Sequence, residues 1–74
     1  MLEFTVEKIL AEIGSAGENA KRLTLTSWNG RPAKLDLRVW RTGENPPKPG
    51  RGVTLSLEEA EALQAALNSY LAGF

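Results

Sequence analysis

"SWNGRPAKLDLRVW", residues 27–40, decides how this chain folds. Asn29-Gly30 is a favoured hairpin turn because both positions tolerate a positive φ, and Pro32 implies a connection longer than two residues. The residues on either side alternate with period two, the signature of strands with one buried face. Ahead of the turn, "RLTLTSW" sets Leu23, Leu25 and Ser27 on one face and Arg22, Thr24, Thr26 and Trp28 on the other. Behind it, "AKLDLRVW" sets Leu35, Leu37 and Val39 against Lys34, Asp36, Arg38 and Trp40. With the leucines inward, both tryptophans are expected on the polar, water-facing side among cations.

The flanking segments extend this hairpin. "LEFTVEKILAEIG" reads equally as strand or helix. Phe4 and Val6 alternate, and Ile9, Ala11 and Ile13 alternate out of phase with them, so a strand requires a bulge near Glu7 and Lys8. Val6, Ile9, Leu10 and Ile13 alternatively make a helical stripe. "GSAGEN" then reads as a loop. "RTGENPPKPGRG" excludes helix and central strand through its prolines and glycines, and a short strand, "GVTLS", follows it. Ser56 and Glu59 have the spacing of a capping box. The helix they open is predicted from about Leu57 to Leu71, with Ala60, Leu63, Leu67, Tyr70 and Leu71 as its apolar stripe and Gly73 as terminator.

At 74 residues the chain is one small domain, 1–74, with a marginal core. Cysteine and histidine are absent, which removes disulfides and the usual zinc ligands; association with a second copy is the remaining reinforcement. A helix that offers Leu63, Leu67, Tyr70, Leu71 and Phe74 presents more apolar surface than one thin sheet covers, so a homodimer is expected. No stretch approaches the ~20 apolar residues of a membrane helix and no signal peptide opens the chain, which predicts a soluble, cytoplasmic protein with no membrane partner.

Net charge is zero, yet its distribution is uneven. Residues 21–51 hold Lys21, Arg22, Arg31, Lys34, Arg38, Arg41, Lys48 and Arg51 against Asp36 and Glu44, a net of +6. The segments before and after it are each −3. Such segregation along a chain becomes segregation over its surface. Cations beside exposed indoles suit unpaired nucleic acid: an aromatic ring stacks on any base, and the cations neutralise phosphates. The competing reading is a protein-interaction module, in which the same tryptophans meet a protein partner. Enzyme readings lack support, since no base or nucleophile is suitably placed and Glu58, Glu59 and Glu61 are explained by capping and the helix dipole. No cofactor, metal or small-molecule substrate is implied.

At "SWNG…KLDLRVW…KPGRGVTLSLEEAEAL" the chain resembles the positive cofactor four family of transcriptional coactivators, in particular its bacterial branch. The order and spacing of the Ser-Trp-Asn-Gly turn, Asp-Leu-Arg, tryptophan, basic loop and Gly-Val-Thr-Leu strand carry the likeness over residues 20–67. The resemblance implies an α+β fold, a four-stranded antiparallel sheet followed by one C-terminal helix, which makes the first segment a strand. It also implies homodimers and single-stranded DNA binding with little sequence preference, in transcription regulation, replication or repair, with RNA as the other admissible ligand.

By position, the resemblance makes Trp28 the base-stacking aromatic and places Lys34 and Arg38 at basic sites of the third strand. Trp40 matches the tryptophan closing that strand, and Lys48 and Arg51 match the basic loop. Arg22 and Arg31 are further phosphate candidates, and Asn29, where animal members carry a lysine, is also a candidate nucleic-acid contact. Asp36 has the place of a structural aspartate. The long N-terminal region of the animal coactivator has no counterpart, so its role in eukaryotic transcription does not carry over.

Overall fold

The computed structural model describes residues 3–74. Four strands, β1 (Phe4–Ala16), β2 (Asn19–Trp28), β3 (Lys34–Arg41) and β4 (Lys48–Leu55), precede one helix, α1 (Leu57–Leu71). The strands form a single antiparallel sheet in chain order, β1-β2-β3-β4. Every connection is therefore a hairpin between neighbours. The first segment is a strand from Phe4 onward, and its Leu2 lies outside the described residues.

β1 spends 13 residues on a ladder for which β2 uses 10. The surplus residues, Glu7, Leu10 and Ile13, fall at register shifts between Val6 and Lys8, Ile9 and Ala11, and Glu12 and Gly14. The first lies where the sequence called for a bulge; the other two were not foreseen. Each bulge bends and further twists its strand. "GSAGEN" is not a loop, because pairing persists from Ala16 to Asn19 and leaves only Gly17 and Glu18 in the turn. Gly17 has φ +58° there, which a side chain would strain. Asn29 (φ +52°) and Gly30 (φ +75°) make the hairpin turn between β2 and β3, closed by the Arg31 amide on the Trp28 carbonyl at 3.0 Å.

β4 begins earlier than the sequence suggested. Lys48–Gly52 belong to the strand, not to a stiff loop. Pro49 is tolerated because β4 is an edge strand, whose outer side needs no ladder donor. Gly50 and Gly52 are required by close approach: a Cβ at Gly50 would meet the Val39 carbonyl oxygen at 2.9 Å, and one at Gly52 would collide with Arg38.

The buried face is the opposite of the one expected. Ala20, Thr24, Thr26, Asp36 and Trp40 are the buried residues, each at 3 % exposure or less. Their ladder partners include Ile9 opposite Thr24, Val6 opposite Thr26 and Pro49 opposite Trp40, all on one side of the sheet. That side is covered by the bent β1 edge and by the prolines of the β3–β4 connection. Leu23, Leu25, Leu35 and Leu37, on the helix side, remain half-buried. The physical reason is that α1 stands off the sheet. Ala60 is half-buried and the rest of α1 is exposed. A groove of about 330 Å³ separates Leu23, Leu35 and Leu55 from Leu63, Leu67 and Leu71.

The helix starts as predicted. The Glu59 amide donates to Ser56 Oγ at 3.1 Å, and the Ser56 amide donates to Glu59 Oε1 at 2.8 Å. The Ser56 amide, then the Ser56 hydroxyl, and more weakly the charge of Lys34, hold the Glu59 carboxyl below the usual carboxylate range. Its stabilisation is therefore present above the unfolded-chain value and lost as pH falls through the lowered folded value. Ser56→Ala is expected to cost about 1 kcal/mol in urea denaturation at neutral pH. Glu59→Gln should remove this acid-side component from the stability–pH curve; an unchanged curve would exclude the capping carboxylate as its source.

Candidate nucleic-acid interface

The centre of the buried face is the Asp36 carboxylate, 0 % exposed. It accepts from Arg38 Nε at 2.6 Å and Arg38 Nη2 at 2.8 Å, a bidentate pairing, and from Trp28 Nε1 at 3.1 Å. Arg38 Nη1 donates to the Gly50 carbonyl at 2.9 Å, reaching across to β4, whose bare Gly52 lets its backbone lie close against Arg38 Cα and Cβ. The Arg38 guanidinium carbon then lies 4.6 Å from the Trp28 ring centroid, within cation–π range. One carboxylate thus fixes both the arginine and the indole, and the alternation of β3 puts Asp36 and Arg38 on the same face to do so. Beside them, the hydroxyls of Thr24 and Thr26 bond each other at 2.7 Å.

Three aromatic rings continue this arrangement. Phe4 sits opposite Trp28 in the β1–β2 ladder, its centroid 5.5 Å from Trp28 and 5.6 Å from Trp40. Both spacings fall in the range of favourable aromatic pairs. Trp40 is 3 % exposed, which corrects its expected water-facing position. Bending of the sheet and the neighbouring Phe4 and prolines seal a face that alternation alone marks as wet. Among the described residues its Nε1 finds no acceptor. Trp28 is half-buried, neither freely exposed nor sealed.

The cations divide into two sets. Arg22 pairs with Glu12 at 3.2 Å, Arg38 with Asp36, and Arg41 with Glu44 at 2.9 Å. Arg38 is thus an internal brace for Trp28, not the open phosphate ligand expected of it. Arg31, Lys34, Lys48 and Arg51 are exposed and stand outside those pairs. Trp28, Arg31, Pro32, Lys34 and Thr54 line a shallow cleft of about 170 Å³. This cleft unites one indole with two cations that form no ion pair among the described residues. Lys48 and Arg51 lie along the β4 edge, Lys48 opposite Arg41.

Asn29 is committed elsewhere. Its Oδ1 accepts the Glu3 amide at 3.0 Å and its own amide donates to the Glu3 carbonyl at 2.8 Å, tying the turn to the start of β1. The sequence reading passed over Phe4. The available signal was an aromatic residue near the start of the first segment; its level with Trp28 follows only once all three bulges are counted.

A family model described as Transcriptional Coactivator p15 (PC4) matches residues 16–66, more than half of the chain. The chain belongs to this family. An uncharacterized protein of Treponema pallidum (strain Nichols) is 51% identical to it over 43 residues, 58% of this chain and 48% of that protein. The chain therefore spans about half the length of this curated relative. The family match takes in the hairpin, the Asp36–Arg38 pair, Trp28, Trp40 and the basic edge of β4. It begins at Ala16, so β1, with Phe4, lies outside it except for that last residue.

The Asp36 network generates a stability test. Asp36→Ala leaves the Arg38 guanidinium, 15 % exposed, without its counter-charge. Truncating one partner of a largely buried pair costs about 3 kcal/mol, the lower end of the usual range because Arg38 keeps some water. Urea denaturation should show that loss, accompanied by a shift in Trp28 fluorescence; a variant as stable as wild type would show that the carboxylate does not hold the face together.

Proposed function

We propose that this protein binds single-stranded DNA with little sequence preference, in transcription regulation, replication or repair, and admits single-stranded RNA on the same face. The observation that carries this reading is the cleft in which Trp28 meets Arg31 and Lys34, in a chain of a coactivator family. An indole braced from beneath by Arg38 and Asp36 offers its remaining surface to a base without reorganising. Stacking of that kind is indifferent to base identity. Arg31 and Lys34 reach phosphates on either side, and Lys48 and Arg51 extend the positive track along β4. Arg22 and Arg38 support the face from within their ion pairs, and Asn29 shapes the turn. Trp40 acts from beneath, as part of the packing. A sheet without a protruding element does not enter a duplex groove, so duplexes bind weakly. No catalytic step, cofactor or metal is part of this reading, and we place the protein in the cytoplasm. Among the described residues no helix is long and apolar enough to cross a membrane.

We also propose that the protein works as a homodimer. Leu63, Leu67, Tyr70 and Leu71 are between 38% and 64% exposed on α1, and Val53 is 56% exposed on the sheet's helix side. A second copy placed over the groove between them would bury a surface that one chain leaves wet, and would set two basic faces in one particle. Sedimentation at micromolar concentration should give twice the chain mass; a folded monomer would remove this part of the proposal.

Anisotropy titrations with labelled oligo-dT at several salt concentrations test the binding reading. Log affinity should fall with log salt at a slope of about −0.7 per phosphate contacted. Lys34→Ala should flatten that slope by about one such contact. Trp28→Leu should weaken binding by about 1–3 kcal/mol. A salt-independent response, or no binding at low salt, would instead favour a protein-interaction module.

A further inference from the structure

A second cleft opens on the same face as Trp28, on the far side of Phe4. It measures about 410 Å³, within the range of about 300–1,000 Å³ of small-ligand sites. Phe4, Ile9, Pro46 and Pro47 make its walls, and Trp40 lines it too. Its polar lining comes from Arg22 and Thr24. Phe4 is 36 % exposed and Ile9 54 %, so the ring and one wall face solvent. The ring is held in place by a tilted contact with Trp28 at 5.5 Å and an edge contact with Trp40 at 5.6 Å, neither of them a parallel stack on its face. Phe4, which lines this cleft, thus packs against Trp28, which lines the cleft of Arg31 and Lys34.

We propose that this cleft is a nucleobase subsite, in which one unpaired base of a bound single strand stacks on Phe4 opposite Pro46 and Pro47. The proposal rests on the reading that this face binds a single strand, and it assigns a ligand contact to a residue outside the matched span 16–66. The chemistry follows from the lining. Flat apolar walls with a fixed aromatic ring accept a planar heterocycle and reject its charged backbone, which stays outside. Arg22, though paired with Glu12, is only half-buried at the margin and lends positive potential where the sugar–phosphate would pass. The contact between Phe4 and Trp28 supplies the occupant: a strand whose base stacks at Trp28 can deliver a nearby base to Phe4. Two stacking sites bridged by one ring also explain why an aromatic, and not an aliphatic, residue begins β1.

The test compares wild type, Phe4→Leu and Phe4→Tyr, each titrated with oligo-dT and with a strand of equal length bearing abasic sites. Phe4→Leu keeps an apolar cover over Trp40 but removes the ring, and should weaken oligo-dT binding about tenfold. Phe4→Tyr restores the ring and should return affinity to within about twofold of wild type. The preference for oligo-dT over the abasic strand should shrink in Phe4→Leu, and the crosslinking readout separates a lost contact at Phe4 from a displaced Trp28. Photocrosslinking of iodouracil-substituted oligo-dT to wild type, mapped by mass spectrometry, should place an adduct on Phe4 even if the leucine variant folds poorly. Wild-type affinity in Phe4→Leu, or adducts confined to the Trp28 cleft, would overturn the subsite while leaving strand binding intact. Absence of oligonucleotide binding by wild type would overturn both.

Discussion

A carboxylate at the centre of a four-stranded sheet, with no water to solvate it, has to be met by donors, and the rest of this structure follows from how Asp36 is met. Two guanidinium bonds and one indole bond satisfy it. Those bonds fold Arg38 back over its own strand, from where Nη1 reaches the Gly50 carbonyl of β4. They also turn Trp28 so that its ring lies under the arginine and beside Phe4. A buried pair of this type contributes little net stability compared with an apolar substitute, because desolvation offsets much of the attraction. Its value here is geometric: it converts three flexible side chains into one fixed surface.

That surface was only partly legible in the sequence. The hairpin, its turn and the helix cap are local features, and Asn29-Gly30 and Ser56–Glu59 hold the conformations their residue types favour. The side of the sheet that closes is not local. Leucines on one face and threonine, aspartate and tryptophan on the other would ordinarily put the leucines inside. The order is inverted because three bulges in β1 bend the sheet, while α1 lies too far from the leucines to seal them. Most buried polar groups on the closed face pair with each other, as Thr24 with Thr26 and Asp36 with Arg38, and Trp40 Nε1 is the exception among the described residues.

The ambiguity of the first segment has the same origin. With one surplus residue in every three, the inward positions become Val6, Ile9, Glu12 and Ser15, opposite Thr26, Thr24, Arg22 and Ala20. A strand bulged at that rate repeats every three residues, close to the 3.6 of a helix, and no periodicity argument separates the two. The same regular bulging hid Phe4, whose level relative to Trp28 depends on the number of surplus residues. Arg38 and Lys34 looked equivalent in sequence, and only the depth of Asp36 distinguishes an internal brace from an open cation.

The two margins of the sheet carry a consequence of their own. A row of free amides and carbonyls at a sheet edge invites another chain to extend it, the first step toward fibrils. Here one margin is interrupted three times, at Glu7, Leu10 and Ile13, so no straight partner can zip along it. The other carries Pro49, which lacks an amide hydrogen, between Lys48 and Arg51, whose like charges repel a matching copy. Ribbon growth is thereby discouraged at both ends, and self-association is steered toward the leucine side, where it can stop at a closed, finite particle.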